Sequence, residues 1–458
     1  MFNRRTFISG TALATTTLVA LSACGSKGPE KMTEAPSGHP VQGETLKYDP
    51  NHLVNGGEPI TLEWWLWGDE PIFQKFVDEY TAIHKNVEIK IVKQPWEDYW
   101  TKLPLSLKDG DKPAIFNIHN SYHSNIFPYL EPYDIPVEEL AADYTGAEVH
   151  VIDGKIYYVD FGMMTGVIYY NTDHWKEAGL TDADIPETWD ELREVAKKLV
   201  KKNGDTIERA GFNFNSQFNA FSPGLPYQRG QNLFADDQKT PTIASDAMME
   251  LIELFTSFYD VDGVGSKDFG TSSGESFGQQ QSSMIYSWTH HGGLMASDFP
   301  DVNYDTFRTP VHVSGETPYA FDRYNGESTL GINKAADDKT KAVAQDFLKF
   351  YLTSKEALKA VCLNYHVFPS YKPLAEDPEI LDDPQLSSLA NSIDRYIWPG
   401  AMPATIEENL KTMWEDVLYN GADPATAMVA AQEAIEKDLA NSDFEAVENL
   451  YAHYQPSK

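Results

Sequence analysis

The sequence has few cysteines, little positive charge and no long apolar run. Cys24 and Cys362 are its only cysteines, which excludes a disulfide framework and leaves no Cys/His set with structural-zinc spacing. Its 458 residues include 36 lysines and arginines against 69 acidic residues, for a net charge of −33. A surface this acidic repels nucleic-acid phosphates and anionic lipid headgroups, so we expect no nucleic-acid partner. No strongly apolar run of about 18 residues occurs, so we expect the body not to cross a membrane.

Catalytic and cofactor motifs are lacking as well. The sequence contains no nucleophile elbow, zinc-protease motif or phosphate-binding loop. His290 and His291 are adjacent, but no third ligand lies near them in the sequence, so we predict neither a metal nor a cofactor. The many acidic residues still leave room for a pair of glycosidase carboxylates, so a secreted carbohydrate-active enzyme stays open as an alternative.

Residues 1–23 have the pattern of a secretory signal peptide. Arg4 and Arg5 form its positive segment, and residues 7–21 form a short, mildly apolar segment. The same positions, Arg4-Arg5-Thr6-Phe7-Ile8, also resemble a twin-arginine signal. The sequence therefore predicts export and leaves the choice between the general and the twin-arginine route open.

The signal peptide ends within Leu21-Ser22-Ala23-Cys24-Gly25, which resembles a bacterial lipobox. This resemblance implies cleavage before Cys24 and lipidation of its thiol. Residues 24–58 are interpreted as the lipidated cysteine and a flexible tether, because the stretch is rich in Gly, Pro, Ser, Lys and Glu and shows no hydrophobic period. The sequence predicts a protein held at the outer face of the bacterial cell membrane by a lipid anchor only.

The body alternates predicted strands and helices. Strand patterns cover 61–67, 87–91 and 114–118, and helix patterns begin near Asp69 or Glu70 and near Glu97. This order predicts a parallel sheet covered by helices. Further patterns predict strands at 156–159 and 167–170, a capping box from Thr188 to Glu191, helices around 248–259 and 343–351, and a last long helix opened by Asp423-Pro424. The fold class is therefore α/β with two lobes. Cys362 lies in a helical pattern and is predicted to be a buried free thiol.

Residues 59 to 440 resemble extracellular solute-binding proteins of family 1, the sugar-binding components of ABC importers related to maltodextrin-binding protein. The segments that carry the resemblance include Trp96-Glu97-Asp98-Tyr99-Trp100, Asp153-Gly154-Lys155-Ile156-Tyr157, Pro186-Glu187-Thr188-Trp189-Asp190, Met284-Ile285-Tyr286-Ser287-Trp288 and Asn420-Gly421-Ala422-Asp423-Pro424. The resemblance implies a two-lobed periplasmic-binding-protein-like fold with a hinge and an interlobe ligand cleft. Lobe one would comprise 59–163 plus 325–372, and lobe two 164–324 plus 373–458.

The resemblance also implies a function. The chain would be a binding protein and not an enzyme, and it would capture a mono- or oligosaccharide and deliver it to the transmembrane permease subunits of an ABC importer. We expect a monomer.

A sugar site needs flat aromatic rings and short hydrogen-bonding side chains, and both types follow predicted strands. The candidates that the strand ends supply are Trp67, Asp69 and Glu70, then His119, Asn120 and Tyr122, and then Arg323, Asn325 and Glu327. The resemblance adds Trp288 and Trp398, at positions where the family presents an aromatic ring to the cleft. A ring in an open cleft should be half-solvated, so we expect Trp288 to be dispensable for the unliganded fold.

Overall fold

The structure is a computed structural model that describes residues 28–68, 70–110 and 112–454. The predicted signal peptide and Cys24 lie outside the described residues. The strands are β1 Ile60–Leu66, β2 Val87–Lys93, β3 Ile115–His119, β4 Val151–Ile152, β5 Lys155–Ile156, β6 Asp160–Asn171, β7 Lys201–Asn203, β8 Thr206–Arg209, β9 Met284–Trp288, β10 Tyr304–Arg308, β11 Asp322–Ile332, β12 Phe368–Pro369 and β13 Tyr396–Ile397.

The described part of the chain contains sixteen α-helices. They are α1 Glu70–Ile83, α2 Trp96–Asp109, α3 His123–Ile126, α4 Val137–Asp143, α5 Thr172–Glu177, α6 Trp189–Leu199, α7 Phe218–Phe221, α8 Asp246–Asp260, α9 Ser273–Gly278, α10 His291–Asp298, α11 Asp338–Thr353, α12 Lys355–Tyr365, α13 Pro378–Leu381, α14 Pro384–Ser387, α15 Ala404–Leu418 and α16 Pro424–Leu439. In the described part of the chain, no helix is long and apolar enough to span a membrane.

Local signals placed several of these elements correctly. At the start of α6 the Thr188 hydroxyl accepts from the Glu191 N–H at 3.2 Å, and the Glu191 carboxylate accepts from the Thr188 N–H at 2.9 Å, which confirms the capping box. Asp423 caps α16 with its side chain, which accepts from the Thr426 N–H at 3.0 Å. Cys362 is a buried free thiol in α12, as predicted.

The two lobes share a pair of long strands. Strand β6 pairs with β11 and β12 along its first half and with β9 and β10 along its second half. Strand β11 pairs with β13 at its start, then with β6 and finally with β3. This arrangement confirms the two-lobed α/β fold class. Two of the three predicted crossings between the lobes, after residues 163 and 324, fall inside these strands, and the third, after residue 372, does not.

The sheet differs from the prediction in two ways. Strands β1, β2 and β3 are parallel as expected, but β11 runs antiparallel to β3 and to β6, so the sheet is mixed. The predicted strands at 156–159 and 167–170 are instead the short β5 and the continuous β6. Every residue of β6 is buried, and its apolar and polar positions do not alternate, so period-2 reasoning found only its most apolar part.

The prediction of a flexible tether over 24–58 is wrong around Leu46 and Tyr48, which pack into the body of the protein. Leu46 and Tyr48 are buried, and the Asp143 carboxylate accepts from the Leu46 N–H at 2.8 Å. The Tyr48 hydroxyl contacts His84 at 2.7 Å and donates to Asp346 at 3.1 Å. Leu46 and Tyr48 alternate with exposed residues over a stretch too short to predict a strand, and their partners lie far along the chain. Composition alone could therefore not reveal this packing.

Candidate functional site

A cavity of about 390 Å³ lies beside the strands that the lobes share, a volume within the range of small-molecule sites. It is bordered by the end of β3, the end of β9, the start of β11, the loop after β13 and the first turn of α15. Its lining residues are His119, Asn120, Met164, Ser216, Gln217, Asn219, Ala220, Trp288, His290, Arg323, Asn325, Trp398, Pro399, Gly400, Met402 and Glu407.

Most of the predicted ligand-binding residues that the structure describes meet in this cavity. Those that line it are His119, Asn120, Trp288, Arg323, Asn325 and Trp398. They come from strand ends that are far apart in sequence and that the shared strands bring together. Their contact with a ligand stays a prediction.

Trp67 and Tyr122 lie behind the cavity wall and not among its lining residues. The Tyr122 ring stacks on Trp100, with ring centroids 4.0 Å apart and an interplanar angle of 2°. Trp67 packs edge-on against Tyr99 at 4.9 Å and against His119 at 6.3 Å. This aromatic cluster supports the His119 ring from behind. Burial lowers the pKa of His119 to about 4, so its imidazole is neutral at pH 7.

The acidic residues predicted to bind a ligand are Asp69, Glu70 and Glu327. Asp69 and the side chain of Glu70 lie outside the described residues. Glu327 pairs with His119 between β11 and β3, and it is not among the residues that line the cavity. Desolvation and the nearby Asp160 raise the pKa of Glu327 to about 8. A carboxyl group in that setting is mostly protonated at pH 7.

The pKa of Glu327 predicts a pH-dependent stability. Its folded pKa lies above the ordinary value of 4.5, so the stability it contributes is complete below pH 4.5 and is lost as the pH rises through about 8. We expect Glu327→Gln and the parent protein to unfold at the same temperature near pH 4.5. At about pH 8.5 we expect the variant to unfold at a higher temperature than the parent, as measured by calorimetry. The exposed Glu316→Gln is the control. A difference in unfolding temperature between Glu327→Gln and the parent protein that is equal at both pH values would contradict the prediction.

Arg323 organises one wall of the cavity. Its Nη2 lies 2.6 Å from the Glu407 carboxylate and donates to the Asn219 carbonyl at 3.2 Å. The guanidinium carbon sits 4.8 Å from the centroid of the Trp288 ring, within cation–π range. Among the described residues, the Arg323 Nε–H is buried without an acceptor. A buried donor beside a cavity is available for a ligand oxygen.

Trp288 is more enclosed than a cleft residue was expected to be. It lines the cavity but is only 9% exposed, and Arg323 lies over one face of its ring. The expectation of a half-solvated ring is therefore wrong. The cause is tertiary, since Arg323 comes from β11 and Trp288 from β9.

The opposite end of the cavity rests on a buried polar network. The Trp398 ring lies 4.4 Å from the His150 ring, and His150 Nε2 is 2.9 Å from the Asp160 carboxylate. The Ser328 hydroxyl oxygen lies 2.9 Å from the Asn120 side-chain oxygen and 3.2 Å from the Asp160 carboxylate, so its single proton is donated to one of these two acceptors. The Asn120 amide in turn donates to a backbone carbonyl of β11 at 2.9 Å. Asn120 therefore holds a shared strand as well as lining the cavity.

Sequence reasoning missed the polar loop before α7 and the carboxylate in α15. The lining residues that it missed include Ser216, Gln217, Asn219, His290 and Glu407. Ser216 has a positive φ of 66°, uncommon for a residue with a side chain. Its signal in the sequence is a polar run, 215–217, between the aromatic residues Phe214 and Phe218.

Comparisons with known proteins agree on one family. The family model for the bacterial extracellular solute-binding protein matches residues 67–358. The chain is similar to an arabinooligosaccharide-binding protein of Halalkalibacterium halodurans, with 21% identity over 82% of this chain and 89% of that protein. It is similar to an sn-glycerol-3-phosphate-binding periplasmic protein of Shigella dysenteriae, with 24% identity over 64% of this chain and 69% of that protein.

The fold is also similar to that of a solved binding protein. A cyclic alpha-maltosyl-1,6-maltose binding protein from Arthrobacter globiformis superposes with a TM-score of 0.68 at 19% identity, covering 84% of this chain and all of that one. At that identity the match establishes the fold and leaves the ligand open.

Proposed function

We propose, since the chain belongs to the bacterial extracellular solute-binding protein family, that its cavity captures an uncharged mono- or oligosaccharide for an ABC importer. The family is one of binding proteins, so the alternative of a secreted carbohydrate-active enzyme has no support. The lobes would be 59–163 plus 325–372 and 164–324 plus 373–458, closing around the sugar by a hinge motion in β6 and β11.

The observation that carries the proposal is the combination of indole rings with short polar groups around a cavity of suitable size. Trp288 and Trp398 offer apolar surface for the C–H faces of a sugar. Asn325, Ser216 and Gln217 offer amide and hydroxyl groups at hydrogen-bonding positions on the wall. This mixture fits a ligand with many hydroxyls in fixed directions.

The charges around the cavity favour a neutral ligand. Arg323 is the only described lining residue with a permanent positive charge, and Glu407 pairs with it at 2.6 Å. His119 is neutral at pH 7. A phosphate monoester would need uncompensated cationic donors. The similarity to a glycerol phosphate-binding protein is therefore outweighed by the charge balance of this site.

A ligand panel tests the proposal by thermal shift. A bound ligand stabilises the protein by about 2.7 kcal/mol at one hundred times its Kd, so a true ligand raises the unfolding temperature in a dose-dependent way. We expect neutral mono- and oligosaccharides to produce the shift and to be recovered unchanged. Uronic acids and sn-glycerol-3-phosphate should not produce it. A shift with the phosphate ester alone would overturn the proposal.

A pair of asparagine variants locates the binding. Asn325→Ala removes an amide from the cavity wall and should reduce the sugar-dependent shift. Asn203→Ala removes an exposed amide of the β7–β8 hairpin and should leave the shift intact. Equal shifts in both variants would place the sugar elsewhere on the protein.

The lipid anchor is proposed from the sequence around Cys24. Signal cleavage and acylation there would hold the protein, as a monomer, at the outer face of the bacterial membrane near its permease. We expect metabolic labelling with a fatty-acid analogue to tag the protein and Cys24→Ser to abolish the tag. Cys362→Ser, at the buried thiol, should keep it. Labelling that survives Cys24→Ser would mean that the lipobox interpretation is wrong.

A further inference from the structure

Segment 446–451, near the end of the described residues, runs along one cavity wall. That wall is the loop Trp398-Pro399-Gly400. The Val447 N–H donates to the Pro399 carbonyl at 3.2 Å. The Trp398 N–H donates to the Tyr451 hydroxyl at 3.4 Å. Two backbone groups of the wall are thus satisfied by the terminal segment 446–451.

The wall has little other backbone support from the sheet. Strand β13, which precedes it, is only the pair Tyr396–Ile397. Buried backbone groups that leave a sheet need hydrogen-bond partners elsewhere, and here the terminal segment supplies them. Gly400 also has a φ of 111°, so the wall turns sharply where it meets that segment.

A buried carboxyl group anchors the terminal segment. Glu448 is fully buried and accepts from the Tyr227 hydroxyl, from the Leu233 N–H at 2.9 Å and from the Phe234 N–H at 3.0 Å. One residue later, the Asn449 N–H donates to the Gln238 side chain at 3.0 Å. These hydrogen bonds therefore hold the segment on lobe two independently of its contacts with the wall.

We infer that segment 446–451 is a positioning element for the ligand cavity. Glu448 seats the segment, and Val447 and Tyr451 then set where Trp398 and Pro399 lie. The consequence for ligand affinity rests on the proposed function, whereas the position of Trp398 does not. Tyr451 is not among the residues that line the cavity, and its effect on a ligand passes through Trp398.

The test compares two buried tyrosines. Tyr451→Phe removes the acceptor for the Trp398 N–H. Tyr144→Phe, the matched control, removes a buried hydroxyl that donates to a backbone carbonyl at 2.7 Å in lobe one. Both proteins are labelled with 5-fluorotryptophan, and the Trp398 fluorine resonance is assigned with Trp398→Phe. We expect that resonance to move in Tyr451→Phe and to stay in place in Tyr144→Phe, without any ligand present.

Affinity for the sugar found by the panel gives the second readout. We expect Tyr451→Phe to weaken binding about five- to tenfold, the scale of one lost hydrogen bond, and Tyr144→Phe to leave binding unchanged. Glu448→Ala should displace the Trp398 resonance further, and Glu448→Gln, which keeps an acceptor oxygen, should restore much of its position.

The outcomes separate this inference from the proposed function. An unmoved Trp398 resonance in Tyr451→Phe and Glu448→Ala overturns the inference whether or not a sugar binds. A moved resonance in a protein that binds no sugar supports the positioning role and rejects the proposed ligand class. A moved resonance with unchanged sugar affinity overturns the link to binding.

Discussion

Replacing Trp288 with alanine is expected to lower both ligand-free stability and sugar affinity. The ring is 9% exposed, and Arg323 covers one of its faces, so its removal leaves a cavity and strips a contact from a guanidinium group. Truncating a buried tryptophan costs about 3–5 kcal/mol of unfolding free energy. Loss of about 1–3 kcal/mol of apolar contact with a sugar corresponds to about 5- to 150-fold weaker binding. Denaturant unfolding and calorimetric titration measure the two quantities.

Trp189→Ala is the matched control for Trp288→Ala. Trp189 is 2% exposed at the start of α6, and its indole N–H donates to Gln228 at 3.0 Å, away from the cavity lining. We expect a comparable loss of stability with no change in sugar affinity. If Trp288→Ala also leaves the affinity unchanged, Trp288 is a core residue and does not belong to the binding site.

Arg323→Ala is expected to destabilise the protein by about 2–3 kcal/mol, below the full cost of breaking a buried ion pair. Arg323 is 5% exposed at its side chain, and its loss leaves the Glu407 carboxylate unpaired. The Glu407 side chain is 33% exposed, so hydration of the unpaired carboxylate offsets part of the free-energy cost. Affinity should fall as well, because the support over Trp288 disappears. Calorimetric unfolding and titration give both values.

Two further variants identify the cause of the stability loss expected for Arg323→Ala. Arg229→Ala breaks the exposed pair with Glu250, whose side chains are 42% and 45% exposed, and should cost less than about 1 kcal/mol. Adding Glu407→Gln to Arg323→Ala removes the unpaired charge and should restore part of the stability. No restoration would show that the loss comes from packing on Trp288 rather than from the stranded carboxylate.

Elements with strong local signals were predictable from the sequence. Helix α6 begins at a capping box whose hydrogen bonds join residues three apart, and α1 and α8 each have one apolar face. The candidate residues at strand ends were also predictable in part, since His119 ends a strand that the pattern revealed, whereas Trp288 came from the family resemblance. Local periodicity carries this information because it depends on near neighbours only.

Features that depend on distant residues were not predictable in this way. The packing of Leu46 and Tyr48 needs Asp143 and Asp346, and no local pattern connects them. Trp67 and Tyr122 looked equivalent to Trp288 in the sequence, yet their rings pack in a cluster behind the wall. Glu407 gave no sign of a role until α15 placed it against Arg323.

By itself the sequence determined the α/β class, the two lobes, most element positions and the family, because these follow from periodicity, capping and ordered motifs. Only the tertiary structure decided which candidates share the cavity, how far Trp288 is buried and what supports Trp398. Those properties arise where β6 and β11 join the lobes and where segment 446–451 returns to the wall. They are contacts between residues far apart along the chain, and the free energy of such contacts is set by the geometry of the fold rather than by neighbours in the sequence.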